Sequence, residues 1–137
     1  MDNKTRNLRG SQSRDTFKYM HKQCCSPRFY ASDLDLMLVE PPGLVACLDF
    51  KRPGQEVTFA EALAYNVLLK ISPVYIVESP SPEAGPFKIY QYLGGDWHSR
   101  PPSVELVFVC ACEGWGAFSR WEGQLRQEYR RRSNGEV

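Results

Sequence analysis

Three residues of this chain place two carboxylates and one ammonium group in segments that are otherwise apolar. Asp35 lies in residues 34–39, and Asp49 and Lys51 lie in residues 44–51. Alternate residues of a strand share one face, so Asp49 and Lys51 share a face of the second segment. Charges in such surroundings are costly to bury unless something pairs them. A divalent cation would pair the carboxylates, because hard oxygen ligands suit Mg²⁺ and Mn²⁺.

The two apolar segments are joined by a sequence that is typical of a turn. Residues 40–43 read Glu-Pro-Pro-Gly, and proline and glycine both favour turns. A hairpin across this turn would bring Asp35 and Asp49 side by side. We therefore predict that both carboxylates lie within reach of one cation. We also predict that Lys51 pairs with one of them when no cation is bound, because like charges that lie close together repel.

The elements that must position these residues follow from the hydrophobic pattern and the turn signals. They are a helix over 13–24, strand structure over 28–40, a strand over 44–51, a helix over 58–70, strands over 71–78, 87–93 and 104–112, and a helix over 116–132. A strand, a helix and a further strand in succession imply a parallel strand pair. The predicted fold class is α/β, with a mixed central sheet flanked by helices.

Composition indicates an ordinary globular protein. The chain has 137 residues, of which 42% are hydrophobic and 24% charged, and its net charge is +1. We expect a single domain over 13–132, a disordered N-terminal tail over 1–12 and a C-terminal tail over 133–137. No apolar run approaches the length of about 20 residues that spans a bilayer. The first residues also lack the apolar stretch of a signal peptide, so we expect a cytoplasmic protein without membrane contact.

The chain resembles the PD-(D/E)XK nuclease superfamily, and most closely its RecB-type and phage exonuclease-like members. In those proteins a strand reading Ile/Leu-Asp-Leu-hydrophobic precedes one reading Leu-Asp-Tyr-Lys. Here residues 34–37 read Leu-Asp-Leu-Met and residues 48–51 read Leu-Asp-Phe-Lys, and a predicted helix follows. The resemblance covers about residues 13–93. It implies a restriction-endonuclease-like fold and the hydrolysis of DNA phosphodiester bonds with Mg²⁺ or Mn²⁺ as the cofactor.

The same resemblance implies a role for each residue of the motif. Asp35 and Asp49 would be metal ligands, with the backbone carbonyl of Phe50 as a third. The metal would act as a Lewis acid and lower the pKa of a bound water. Lys51 would orient the attacking water or stabilise the charge that develops on the phosphate.

Four further residues are secondary candidates for the site. RecB-type members carry Gln-x-x-x-Tyr on the helix after the motif, where this chain has Glu61 and Tyr65. A capping box already accounts for Glu61, and we assign it to the helix cap rather than to catalysis. Asp33 shares a face with Asp35 and is either a further carboxylate of the site or the solvent end of the strand. His21 lies on the first predicted helix, where related enzymes often place a Glu or His, and is otherwise a surface residue.

Contacts to nucleic acid must come from local groups, because the net charge is close to zero. Arg52 follows Lys51 directly and could touch a phosphate. Arg130 and Arg131 lie near the end of the last predicted helix, where they could contact the DNA backbone. Complementing the helix dipole explains these two arginines equally well.

The tryptophans and cysteines carry weaker signals. Trp97, Trp115 and Trp121 could stack on unpaired bases, although packing is the more common use of this residue. The five cysteines suit neither a disulfide framework nor the usual zinc spacing. We expect them to be reduced and to fill core positions, with an iron–sulfur cluster as the alternative.

Three functional hypotheses remain open from the sequence. The first is a metal-dependent deoxyribonuclease that acts on DNA. The second is a catalytically inactive nuclease-fold module, of phage or mobile-element origin, that binds DNA or a protein partner. The third is an interaction protein whose acidic strands are coincidental. A homodimer is an alternative to a monomer in each case.

Overall fold

The chain divides into two compact units, Met1–Ala31 and Ser32–Val137, and the computed structural model describes residues 3–25 and 34–134. The first unit contains helix α1, which spans Asn3–Cys24. The sequence pattern instead predicts a disordered tail over residues 1–12 and one domain from residue 13. The earlier helix start has a physical reason, because the first part of α1 contains lysine, arginine, leucine and glutamine, which are good helix formers.

The described part of the second unit contains five strands and two helices. They are, in chain order, β1 (Leu36–Glu40), β2 (Gly43–Lys51), α2 (Phe59–Leu68), β3 (Val74–Glu78), β4 (Phe87–Asp96), β5 (Ser103–Cys112) and α3 (Trp115–Ser133). These elements confirm the strands and helices predicted from residue 44 onward, with ends shifted by a few residues. Where the described residues were searched, no helix is both long and apolar enough to cross a membrane.

The sheet is mixed, and its strands lie in the order β1-β2-β3-β4-β5. β2 and β3 are parallel, with Cys47 opposite Val74 and Lys51 opposite Glu78. The other neighbouring pairs are antiparallel. Helix α2 connects the parallel pair, which confirms the predicted crossover and the α/β class.

Two apolar cores lie on opposite faces of the sheet. On one face Ala62 and Tyr65 of α2 pack with Cys47 of β2. On the other face Phe118 of α3 packs with Leu48 of β2. Since side chains alternate along a strand, Asp49 and Lys51 lie in phase with Cys47 and face α2.

The cysteines are all free thiols, as predicted, but only part of them fills the core. Cys47 and Cys112 are buried, and Cys110 is half-buried. Cys24 and Cys25 are exposed, so the prediction of core positions is wrong for this pair. Cys24 ends α1 and Cys25 follows it, and the apolar residues of α1 are too sparse to bury one side of the helix.

Candidate functional site

The hairpin of β1 and β2 brings Asp35 and Asp49 together, as predicted. Leu36 pairs with Leu48 in the antiparallel ladder, which places the residue before Leu36 opposite the residue after Leu48. The side chain of Asp35 lies close enough to that of Asp49 to raise its pKa. Asp35 is exposed, whereas Asp49 is only 4% exposed. The pair therefore has one carboxyl group in the interior and one that solvent reaches.

The backbone of Phe50 is fixed by Asp35. The amide N–H of Phe50 donates a hydrogen bond to Oδ2 of Asp35 at 2.7 Å. A strand residue directs its N–H and C=O toward the same neighbour, so the carbonyl of Phe50 lies on the side of Asp35. This direction suits the carbonyl to the ligand role that the resemblance to the nuclease superfamily implies for it.

The Asp49 carboxyl group is held between a hydroxyl and a second acid. The hydroxyl of Tyr65, a fully buried residue of α2, donates a hydrogen bond to Oδ2 of Asp49. Burial raises the pKa of Asp49 to about 7, and contact with Asp35 contributes to this shift. The hydrogen bond from Tyr65 and the charge of Lys51 act in the opposite direction. Near neutral pH this buried carboxyl group is therefore only partly ionised.

Lys51 pairs with Glu61 and not with either aspartate, so the predicted pairing is wrong. The Lys51 side chain is 4% exposed, and its ammonium donates a hydrogen bond to Oε2 of Glu61. The physical reason is charge. Asp49 is partly protonated. For Glu61, burial favours a higher pKa, but the hydrogen bonds from Lys51 and Thr58 outweigh burial and hold the pKa of this carboxyl group below its usual value. The fully ionised carboxylate is the better partner for an ammonium group.

Glu61 also forms the predicted cap of α2. Its Oε1 accepts a hydrogen bond from the N–H of Thr58 at 2.9 Å, and its own N–H donates to Oγ1 of Thr58 at 3.2 Å. The capping box is thus confirmed, but the same carboxylate also holds Lys51. Sequence reasoning missed this second contact.

The contact between Glu61 and Lys51 could have been predicted from the spacing of residues along α2 and β2. Residues i and i+4 of a helix lie about 6 Å apart along its axis, and residues i and i+2 of a strand lie about 6.6 Å apart. Glu61 and Tyr65 therefore have nearly the same spacing as Lys51 and Asp49. A crossover helix runs back over its strand, which sets Glu61 against Lys51 and Tyr65 against Asp49.

The structure adds little on two further candidates, Asp33 and His21. Asp33 lies outside the described residues. His21 lies in α1 of the first unit and is half-buried, and its role as a ligand stays a prediction.

The arginine candidates are mostly exposed. Arg52 is exposed, and its backbone N–H donates to Oε1 of Gln55 at 3.0 Å. The guanidinium of Arg130 donates to Oε1 of Glu40 at 2.9 Å and 3.2 Å, which ties α3 to the end of β1. Arg131 is exposed. Arg130 thus has a structural role, and DNA contacts by all three arginines stay predictions.

The residues present fit a divalent cation. The pKa of the buried Asp49 stays raised beside Asp35 in spite of the nearby charge of Lys51, so the pair of carboxyl groups has room for further positive charge. Within the described parts of the chain, no three His, Cys, Asp or Glu side chains form a group arranged to hold a metal ion. A cation at Asp35 and Asp49 would therefore take its other ligands from oxygen atoms such as the Phe50 carbonyl and water.

Comparison with known proteins adds no relative. Neither a family model, nor a curated protein, nor a solved structure matches this chain.

Proposed function

We propose that this chain is a metal-dependent deoxyribonuclease that hydrolyses phosphodiester bonds of DNA. One observation carries the proposal: Asp35 and Asp49 lie side by side across the β1–β2 hairpin at the end of β2, and Lys51 lies two residues further on the same face. The sequence resemblance assigns catalysis to these same residues. Their juxtaposition supports the proposal, because coincidental acidic residues have no reason to meet across a hairpin.

Asp35, Asp49 and the carbonyl of Phe50 would hold the metal ion. A bound Mg²⁺ or Mn²⁺ would neutralise charge on the phosphate and lower the pKa of a bound water. Tyr65 positions Asp49, because its hydroxyl fixes one carboxylate oxygen and favours the ionised form. Asp35 holds the Phe50 backbone in place through the amide N–H.

Lys51 supplies the only positive side chain that the motif itself contains. Its charge already lowers the pKa of Asp49, so the ammonium lies close to the carboxyl pair. There it can stabilise negative charge that develops on the scissile phosphate. The hydrogen bond to Glu61 fixes the position of the Lys51 ammonium.

A second candidate function is a nuclease-fold module that binds DNA or a protein without cleaving it. The ion pair of Lys51 and Glu61 favours this alternative, because a glutamate here neutralises the ammonium that catalysis would use. The related RecB-type enzymes have an uncharged glutamine at the position of Glu61. The choice between the two functions depends on whether Lys51 still acts when it is paired.

A cleavage and binding assay separates these functions. Linear, circular and branched DNA are incubated with Mg²⁺ or Mn²⁺ and either wild type, Asp49→Ala, or Asp96→Ala as a control at the exposed end of β4. Cleavage by wild type and the control but not by Asp49→Ala supports the nuclease. Metal-independent DNA binding without cleavage supports the inactive module. If wild type neither cleaves nor binds DNA, the nuclease and the DNA-binding form of the module are both overturned.

A further inference from the structure

The connection between β4 and β5, residues 97–102, runs back along helix α2. The carbonyl of Gly95, near the end of β4, accepts a hydrogen bond from Nδ2 of Asn66 at 3.0 Å. The ring of Trp97 then meets the ring of Phe59 edge-on, at a centroid distance of 5.6 Å. Asn66 and Phe59 are separated by about two helical turns, so they share one side of α2. The connection therefore reaches the first residue of this helix.

Arg100 lies in this connection, and its guanidinium is held over Phe59. The guanidinium carbon is 5.2 Å from the centroid of the Phe59 ring, which is a cation–π contact. Trp97, which packs against the α2-side core, gives the connection a fixed base. Arg100 is exposed, and no carboxylate among the residues that the structure describes forms an ion pair with it. The group thus has a defined position and a charge that no acidic side chain offsets.

Phe59 places this charge near the proposed site. Phe59 is the first residue of α2, and Glu61, which holds the Lys51 ammonium, lies two residues further along the helix. Each helical residue turns by about 100°, so Phe59 and Glu61 point to different sides of α2. Lys51 and Arg100 therefore flank the first turn of this helix. A chain of phosphates that passes the start of α2 would meet both cations.

A guanidinium group matches the phosphates of such a chain. Its planar fork donates two parallel N–H hydrogen bonds to phosphate oxygens, a geometry that an ammonium group lacks. Contacts of this kind supply affinity and orient a protein on DNA without reading its sequence.

We infer that Arg100 binds a backbone phosphate of the DNA substrate, away from the scissile phosphate, and that Phe59 positions its guanidinium. The inference rests on the proposed function, because a DNA strand held at Asp35 and Asp49 is what brings further phosphates to the start of α2. Arg100 thus contributes to the binding of a chain and takes no part in the chemical step.

Fluorescence anisotropy in EDTA tests the contact without turnover. The probe is a labelled DNA, either the duplex or the single strand, whichever wild type binds more tightly. Arg100→Met should weaken binding by about three- to thirtyfold. It should also reduce the slope of log K against log salt by about 0.7–0.9, because one phosphate contact is lost.

Arg120→Met is the matched control for Arg100→Met. Arg120 is exposed on α3, which packs against the other face of the sheet. This control should bind DNA with the affinity and the salt dependence of wild type. Wild-type affinity and salt dependence in Arg100→Met would overturn the inference.

Phe59→Leu tests the positioning role, because leucine keeps an apolar side chain but removes the ring beneath Arg100. It should weaken DNA binding in the wild-type background and change it little in the Arg100→Met background. Equal losses in the two backgrounds would assign Phe59 to packing and overturn its positioning role.

Turnover shows whether Arg100 acts on the chain or in the chemical step. Arg100→Met should raise KM for DNA and leave kcat unchanged. Hydrolysis of bis(p-nitrophenyl) phosphate should also be unchanged, because a single phosphodiester at the carboxyl pair does not extend to Arg100. A fall in kcat with unchanged KM would overturn the inference.

The outcomes separate this inference from the proposed function. Arg100-dependent DNA binding without cleavage in Mn²⁺ refutes the nuclease and keeps the phosphate contact. Cleavage and DNA affinity that are both undiminished in Arg100→Met keep the nuclease and refute the phosphate contact.

Discussion

The ammonium of Lys51 donates a hydrogen bond to one carboxylate oxygen of Glu61, whose other oxygen accepts the N–H of Thr58 at the start of α2. A single side chain thus joins the end of β2 to the cap of the helix that crosses it. Both members of the ion pair are largely buried, at 4% and 18% side-chain exposure. Removing one partner would leave the other charge in poorly solvated surroundings.

The Glu61→Gln variant distinguishes the contribution of the ion pair to stability from that of the helix cap. Glutamine retains an oxygen for the N–H of Thr58 but removes the charge that faces Lys51. We expect the free energy of unfolding to fall by about 2–3 kcal/mol, because a largely buried ammonium loses its partner. Thr58→Ala, which removes only the cap hydroxyl, should cost about 1 kcal/mol. Urea denaturation measures both, and equal losses would show that the ion pair contributes little.

Asp49 predicts an unusual pH dependence of stability. Its pKa is about 7 in the folded protein and ordinarily 3.8, so folding binds a proton between these values. The stability from this group is fully present below about pH 4 and is lost as pH rises through 7. Glu40 and Glu61, whose pKa values are lowered, act in the opposite direction and only in acid.

The metal-free protein should therefore melt several degrees lower at pH 8 than at pH 5. Asp49→Asn should flatten this slope, because asparagine does not titrate. Calorimetric or circular-dichroism melts across this range test the expectation. An unchanged slope in Asp49→Asn would assign the pH dependence to other groups.

Tyr65→Phe should shift the pH dependence of metal binding. The Tyr65 hydroxyl favours the ionised form of Asp49, so its loss raises the pKa of that carboxyl group further. Protons then compete with the cation at higher pH, and the midpoint of Mn²⁺ binding should move upward in pH.

Tyr92→Phe is the control for Tyr65→Phe. Tyr92 is also fully buried and packs against Tyr65, but its hydroxyl donates to Oδ1 of Asn66 at 2.6 Å. Each variant should lose about 1 kcal/mol of stability from the missing hydrogen bond. If Tyr65→Phe and Tyr92→Phe both shift the pH midpoint of Mn²⁺ binding, the shift reflects loosened packing and not the loss of the contact with Asp49.

Lys51→Met tests whether the ammonium acts in turnover or in metal binding. Combining it with Glu61→Gln avoids leaving a glutamate unpaired, and the Glu61→Gln single variant is the reference. We expect Mn²⁺ affinity to be at least as tight as in the reference, because an ammonium repels a cation. Cleavage should fall strongly, because the charge on the phosphate loses its partner. If Mn²⁺ affinity and cleavage fall together, Lys51 serves to hold the carboxyl groups in place and does not act in turnover.

The pairing of Asp35 with Asp49 could be predicted because it depends on local rules. Turn composition sets the hairpin, and strand alternation sets the face. The partner of Lys51 could not be predicted in the same way, since it depends on where α2 crosses the sheet and on the partial protonation of Asp49. Both are tertiary effects that depend on burial.

The central claim is that Asp35 and Asp49 together hold a divalent cation. Isothermal titration with Mn²⁺ above pH 7 tests it on wild type, on Asp49→Asn and on Asp96→Asn, which changes an exposed carboxylate at the end of β4. We predict one Mn²⁺ per chain for wild type and Asp96→Asn, and loss of that binding in Asp49→Asn. Equal Mn²⁺ binding by all three proteins, or none by wild type, would contradict the claim.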